Sequence, residues 1–323
     1  MKRRDIVIAS AGVALATLPA WGQTQSFPKP GSIIKYVVPF APGGLTDMMA
    51  RTVAQKLSEA WKVSVIVENK AGGNAQIGAD QVAKSVPDGS SLLAITLTHA
   101  ANVALFPNAA YSFTKDLRPV AMLASSPMLV VVPTGSPIKD LKDLIAMSKS
   151  KQLNAGSSGN GTPPHLTMAL FNDLNKSKMT HVPYRGGAPS MTDLIGGQLD
   201  VIFSNFPESI AHVHGGKLRA LAICSLKRHP MAPDVPSAME AGMPGLYVEN
   251  WTAAMAQANT QDAVVDRYSR EMIKIMFSAD VEERAKLQGF RVMPKGTADF
   301  AVFLKSEIER WGRIIRIAKI TAT

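Results

Sequence analysis

The chain has 323 residues, 46% of them hydrophobic and 19% charged, with one cysteine and a formal net charge of +10. This composition excludes a disordered or fibrous chain and an intrachain disulfide scaffold, and it allows one large core or two medium ones. The basic residues are scattered, with no run and no interleaved aromatic platform, which sets a nucleic-acid groove aside and leaves solubility and a mild attraction for anions.

Lys2, Arg3 and Arg4 begin the chain with positive charge, Ile6 to Leu18 is apolar, and Ala20-Trp21-Gly22 has the small-x-small pattern of a cleavage site. Residues 1–22 are therefore expected to be an export signal, and without them the formal charge falls to +8. Arg3-Arg4 suits a twin-arginine signal as well as a general secretory one. The apolar run is shorter than the roughly 20 residues of a spanning helix.

Three segments then repeat one plan of strand, glycine-bearing turn and helix. In the first, residues 33–40 read as a buried strand, 41–44 as the turn, and Leu45, Met49, Val53, Leu57 and Ala60 as one helical stripe, with a further strand at 63–68. Such spacing implies right-handed crossovers in a parallel sheet. The second runs from a strand and turn at 153–162 into a helix that carries Pro163 and Pro164 in its first turn and Leu166, Ala169, Leu170 and Leu174 on one face. The third has a strand at 179–184, the turn Arg185 to Pro189, a helix with Met191, Leu194 and Ile195, a stop at Gly196-Gly197 and a strand at 199–203. Each turn delivers a helix N-terminus at the carboxyl end of a strand, the edge where open α/β sheets bind ligands.

Residues 116–133 and 245–257 are extended and apolar without helical period, the first joined at Ser125-Ser126-Pro127. They bracket the second and third units like a pair of crossovers between lobes, one expected at 27–124 plus 249–323 and the other at 125–248. A long amphipathic helix with Phe300, Leu304, Ile308, Trp311 and Ile315 closes the chain. Cys224 lies in an apolar run and reads as a core residue.

The glycine-rich turn at 155–165 is not a nucleotide loop. Gly156 and Gly161 have the spacing, but Thr162 replaces the phosphate-binding lysine and Pro163 the magnesium-binding hydroxyl. Asn160 likewise removes the last glycine of a nucleophile elbow. What stays is a loop of backbone N–H groups and hydroxyls before a helix, suited to a carboxylate or phosphate without chemistry. His212-x-His214, if on a strand, would point both rings to one face near Glu208, yet that makes too few ligands for a metal site, and a surface pair is expected. His165 reads as a helix-terminal or packing residue. Asp47 falls at a helix start, where capping and the dipole explain an acid, and no set of nucleophile and base emerges. Arg185 stands before a helix start, either adding its donor fork to backbone donors around an anion or pairing with an acid across the lobes.

Six blocks, at 37–51, 67–80, 87–93, 153–166, 181–203 and 216–245, resemble the Bug-type receptors of tripartite tricarboxylate transporters. The most specific are "PFAPGG…D…R" and "VPYRGGAP…GGQ.D". The resemblance runs from about residue 30 to the C-terminal helix. It implies an α/β, two-lobed periplasmic binding protein fold of the second type, each lobe a mostly parallel sheet flanked by helices, closing on a small carboxylated molecule. Carried over by position, the contacts of the near lobe are Phe40, Ala41, Gly43, Gly44, Thr46, Asp47, Thr98 and His99. Those of the far lobe are Ser157, Ser158, Gly159, Gly161, Thr162, Tyr184, Arg185, Gly186 and Asn205. The chain departs from the family at Ala71, Asn74, Ala75 and Gln76, after Trp251, and at His99, a position that is often small; if it reaches the cleft, His99 adds a donor or a stacking face.

The expected protein is thus a periplasmic receptor, monomeric and without cofactor or metal, that takes a small organic carboxylate to membrane transporter subunits. A sensor as the partner instead of a transporter is the alternative. An enzyme on the same scaffold, with His99 or His165 as base and Asp47 as its partner, is the rival from another class.

Overall fold

Ten strands and ten helices make up the described residues, 27–317 and 319–321, of a computed structural model. The expected export signal lies outside the described residues. The first elements are β1 (Ile33–Val38), α1 (Leu45–Trp61), β2 (Ser64–Asn69), α2 (Gln76–Ala83), β3 (Ser91–Thr96), α3 (Leu97–Leu105) and β4 (Leu117–Pro133). Then come α4 (Leu141–Ser150), β5 (Asn154–Ser157), α5 (Pro163–Asn175), β6 (Thr180–Pro183), α6 (Gly187–Ile195), β7 (Val201–Asn205), α7 (Phe206–His214) and β8 (Leu218–Ile223). The last are β9 (Glu249–Gln257), α8 (Asp262–Met276), α9 (Ala279–Leu287), β10 (Arg291–Lys295) and α10 (Thr297–Ile317).

The strands lie in the order β2-β1-β3-β9-β4-β7-β5-β6, with β10 and β8 also paired to β4. Each half has a parallel triplet built by strand-helix-strand crossovers: β1 pairs β2 and β3, and β5 pairs β6 and β7. Antiparallel strands join the triplets. Ser125-Ser126-Pro127 does not interrupt β4, which is one strand of 17 residues that changes partners there. From Leu117 to Pro127 it pairs with β9, and from Met128 onward with β7 and β8. Strands covered on both faces by helices read as continuous apolar runs, which is why these were visible in the sequence.

One core runs along the same side of both halves, from Val37 and Leu93 through Val130 and Phe203 to Phe300 and Trp311 of α10. Separate cores cover the opposite faces, under α1 and α8 in one half and under α6 and α7 in the other. Cys224 is buried in the shared core. Two helical stripes are shorter than their pattern suggested. Ala60 is exposed because α1 ends at Trp61 with Lys62 left-handed (φ 53°), and Leu174 is exposed because Leu166 and Phe171 form the buried face of α5. His212 and His214 sit on helix α7, not on a strand, so their rings do not share a face.

Candidate functional site

The carboxyl ends of β1, β3, β5, β6 and β7 each lead into a helix, β3 and β7 directly and the others through a short turn, and the starts of these five helices meet where the two halves of the sheet face each other. The cavity between them has about 30 Å³ of free space, enough for ordered water and far below the roughly 150 Å³ of a cavity that holds benzene. Gly44, Leu45 and Thr46 line it from the start of α1, Thr98 from α3, Thr162 and Pro163 from α5, Gly186 and Gly187 from α6, and Asn205 and Glu208 from α7. Phe40, Ala41, Thr96, Ser158 and Asn250 complete the wall.

The first N–H groups of a helix lack partners inside it, and a side chain at the N-cap usually satisfies one. At α1, α5, α6 and α7 the N-cap residues Gly44, Thr162, Gly186 and Asn205 make no such bond. Helix starts without a side-chain cap attract anions through their positive dipole ends, although the Leu45 N–H of α1 is taken by Glu208 and Pro163, Pro164, Pro189 and Pro207 in the other first turns have no N–H. Helix α3 is different: Thr96 and His99 form a reciprocal capping box. Two hydroxyls add to the donors. Thr98 Oγ1, on a fully buried residue, and Ser158 Oγ have no hydrogen-bond partner among the described residues.

The glycines are required by close approach. Gly186 has φ 140°, and a Cβ there would stand 3.0 Å from the Cβ of Ala41 in the other half. A Cβ on Gly187 would overlap the carboxylate of Glu208.

That carboxylate spans the cavity. Asn250 Nδ2 donates to Asn205 Oδ1 at 2.8 Å, the Asn205 side chain bonds Glu208, and Glu208 Oε1 accepts the N–H of Leu45 at 2.9 Å. Burial raises the pKa of Glu208, and the bonds from Leu45 and Asn205 oppose that rise. Among the described residues, Glu208 is the one ionisable side chain in the cavity wall.

Of the residues expected at the site, Phe40, Ala41, Gly44, Thr46, Thr98, Ser158, Thr162, Gly186 and Asn205 line the cavity. The others lie behind or beside it. Asp47 holds its own turn: its carboxylate accepts from Gly43 N at 3.0 Å, Arg51 Nε at 2.8 Å and Asn69 Nδ2 at 2.9 Å. Burial would raise its pKa, but Arg51, Gly43 and Asn69 outweigh burial and hold it below the usual carboxylate value. Ser157 Oγ donates to Gly159 O and also bonds Gly159 N and His181, and the Tyr184 hydroxyl donates to Asp193 at 2.6 Å. Gly161 packs toward Leu105 and Asn74 of the other half. Arg185 is exposed and outside the wall.

His99 does not reach the cavity. It is 1% exposed, with Nδ1 accepting Thr96 N–H at 3.2 Å and its ring beside Phe40 and Phe113. Burial lowers its pKa to about 3. His165 Nδ1 accepts Gly161 N–H at 2.9 Å and its ring stacks on His181 at 3.8 Å; burial first, then the neighbouring ring, lowers its pKa to about 3. Neither imidazole bonds Asp47, so the base and partner of the enzyme reading are not brought together. Among the described residues no group of three or more His, Cys, Asp or Glu side chains could hold a metal ion.

The sequence reading missed Glu208 and Asn250. Glu208 had been associated with His212 and His214, because β7 runs into α7 without the glycine turn that marked the other units. The signal that could have found it was Asn205-Phe206-Pro207, a strand end followed at once by a proline of a first helical turn.

Residues 49–320 match the family model described as "Tripartite tricarboxylate transporter family receptor". The chain belongs to this receptor family. Protein BugT of Bordetella pertussis is 32% identical to the receptor over 96% of each chain. MatC of Rhodopseudomonas palustris, solved with bound malate, is 32% identical, covers 90% of this chain and 100% of its own, and has a TM-score of 0.83. An R. palustris protein solved with adipate is 30% identical over 92% of this chain and 99% of its own, with a TM-score of 0.88. The receptor has the two-lobed type II fold of periplasmic binding proteins: β4 and β9 are its crossovers, and the cavity described above lies between the lobes.

Proposed function

We propose that the receptor captures a small organic carboxylate between its lobes in the periplasm and delivers it to the membrane subunits of a tripartite tricarboxylate-type transporter. The observation that carries this reading is the convergence on one cavity of the positive ends of four helices, whose N-cap side chains make no capping bond, and of two unpartnered hydroxyls. Such donors hold an anionic oxygen pair without catalysis. Relatives solved with malate and with adipate support an acid as the ligand.

The cavity is too small for an organic acid as it stands, so binding requires the lobes to part and to close again on the ligand. We place the lobes at 27–124 plus 249–323 and at 125–248, with the opening carried by β4 and β9. Delivery then depends on the ligand contacting the closed form better than the open one.

Thermal-shift measurements on the receptor, with organic acids and their neutral amides at matched concentration, test the reading. An acid at about 100 times its Kd should stabilise the protein by about 2.7 kcal/mol. Stabilisation by amides and not by acids would refute it. Uptake by reconstituted membrane subunits, with and without the receptor, tests delivery.

A further inference from the structure

The cleft offers its ligand a carboxylate and no cation. No Lys, Arg or His lines the cavity, and among the described residues none forms an ion pair with Glu208. Asp47 occupies Arg51, and Arg185 is exposed outside the wall. The partners of Glu208 are neutral donors, the Leu45 N–H and the Asn205 amide. Nor is the acid loosely placed. Asn250 fixes Asn205 from the crossover strand, and Gly187 leaves the space that the carboxylate fills.

We propose that Glu208 is a specificity-determining residue and that the cleft takes a zwitterion, a small carboxylate bearing a protonated amine close to its acid group. The inference rests on the carboxylate-receptor reading above and narrows it.

One exchange of partners carries the argument. In the closed molecule the Leu45 N–H, at the start of α1, is bonded to Glu208, since Gly44 has no side chain to cap it. When the lobes part, that bond leaves one donor on the first lobe and one carboxylate on the second. A zwitterion entering between them satisfies both: its carboxylate accepts from the start of α1, and its ammonium group donates to Glu208. Charge in the cleft is then balanced pair by pair, and each new bond is charge-assisted. An acid without an amine would set its carboxylate against Glu208 in a site with little water, where like charges repel most strongly. The unpartnered hydroxyls of Thr98 and Ser158 remain for the rest of the ligand.

Isothermal titration calorimetry on the full receptor, wild type and Glu208→Gln, tests this with pairs of acids that differ by the amine alone: aspartate and succinate, glutamate and glutarate, phenylalanine and 3-phenylpropionate. The wild type is expected to bind the amine-bearing member of at least one pair tenfold or more tighter than its partner. In Glu208→Gln that ratio is expected to shrink to about threefold or less. Wild-type binding of the amine-free acids as tightly as their partners overturns the proposal, whether or not the variant folds, and leaves the carboxylate reading standing. A Glu208→Gln protein that keeps the wild-type ratio overturns it as well. If neither member of any pair binds, the carboxylate reading itself fails.

Discussion

Acidification should destabilise the receptor in part through His99. The ring is 1% exposed, Nδ1 accepts the Thr96 N–H, and Nε2 has no partner among the described residues. A proton on Nδ1 would turn the acceptor into a donor facing another donor and place a charge between Phe40 and Phe113. Burial accordingly lowers the pKa from 6.5 to about 3. A histidine in the unfolded chain titrates near 6.5, so neutral His99 contributes in full above that pH, and its contribution is lost as pH falls toward 3. The loss is about 1.36 kcal/mol per pH unit, or about 2.7 kcal/mol by pH 4.5. Glutamine at this position of a capping box also reaches back to the N-cap N–H, so His99→Gln removes the titration and keeps the bond. Guanidinium unfolding at pH 7.5, 6.5, 5.5 and 4.5 should show the variant losing about 2–3 kcal/mol less than wild type between pH 6.5 and 4.5. His165 and His181, lowered to about 3 and about 4, affect both proteins alike and cancel in the comparison. Parallel curves for the two proteins would refute the reasoning.

Thr98→Val removes a buried hydroxyl without a partner, so the melting temperature of the unliganded protein should stay the same or rise. Ligand affinity, read by calorimetry, should fall about five- to tenfold, the value of one hydrogen bond. Glu307 is buried and accepts the indole N–H groups of Trp251 at 2.9 Å and Trp311 at 3.2 Å. Glu307→Ala should therefore cost about 3–5 kcal/mol in denaturant unfolding, since two buried donors lose their acceptor, whereas Glu307→Gln, which keeps a carbonyl oxygen, should cost less than half of that. Arg185→Ala should leave the melting temperature unchanged and weaken ligand binding by less than about tenfold, because an exposed guanidinium acts through water and salt. A hundredfold loss would mean that the side chain turns inward when ligand is bound.

The strand-helix-strand units were legible because each combined a continuous apolar run with a glycine turn and a helical stripe, three signals that local sequence carries by itself. Both crossovers were legible for the opposite reason, as apolar stretches with no helical period. Helix α7 was not, since no glycine announced it and two histidines two residues apart suggested a strand. The expected site residues divide by a criterion that spacing does not express. Thr98 and Ser158 line the cavity with hydroxyls that have no partner among the described residues, whereas the Asp47 carboxylate and the Ser157 hydroxyl bond their own turns and the Tyr184 hydroxyl bonds Asp193 of α6. Asn250 and Glu208 meet only through Asn205, across sequence gaps of 45 and 3 residues, and the longer contact exists only once both lobes have folded.

The two covalent connections between the lobes are neighbours in a ladder. β4 and β9 stay paired from Leu117 opposite Gln257 to Pro127 opposite Glu249, and the pairing continues with Met128 N to Val248 O at 3.2 Å. Arg291 grips Glu249 and Ser126 grips Gly289 at the same level. Motion between the lobes must therefore bend a short stretch of ribbon, both strands together, where the ladder leaves the first half around Ser125 to Met128 and Val248 to Trp251, since farther back β3 holds β9 and β10 holds β4. A flexure of that kind has a preferred axis and a restoring torque that grows with angle. Its stiffness sets how far the mouth gapes and how promptly it shuts, so substitutions along the ribbon, remote from any ligand, should tune the speed of capture and release.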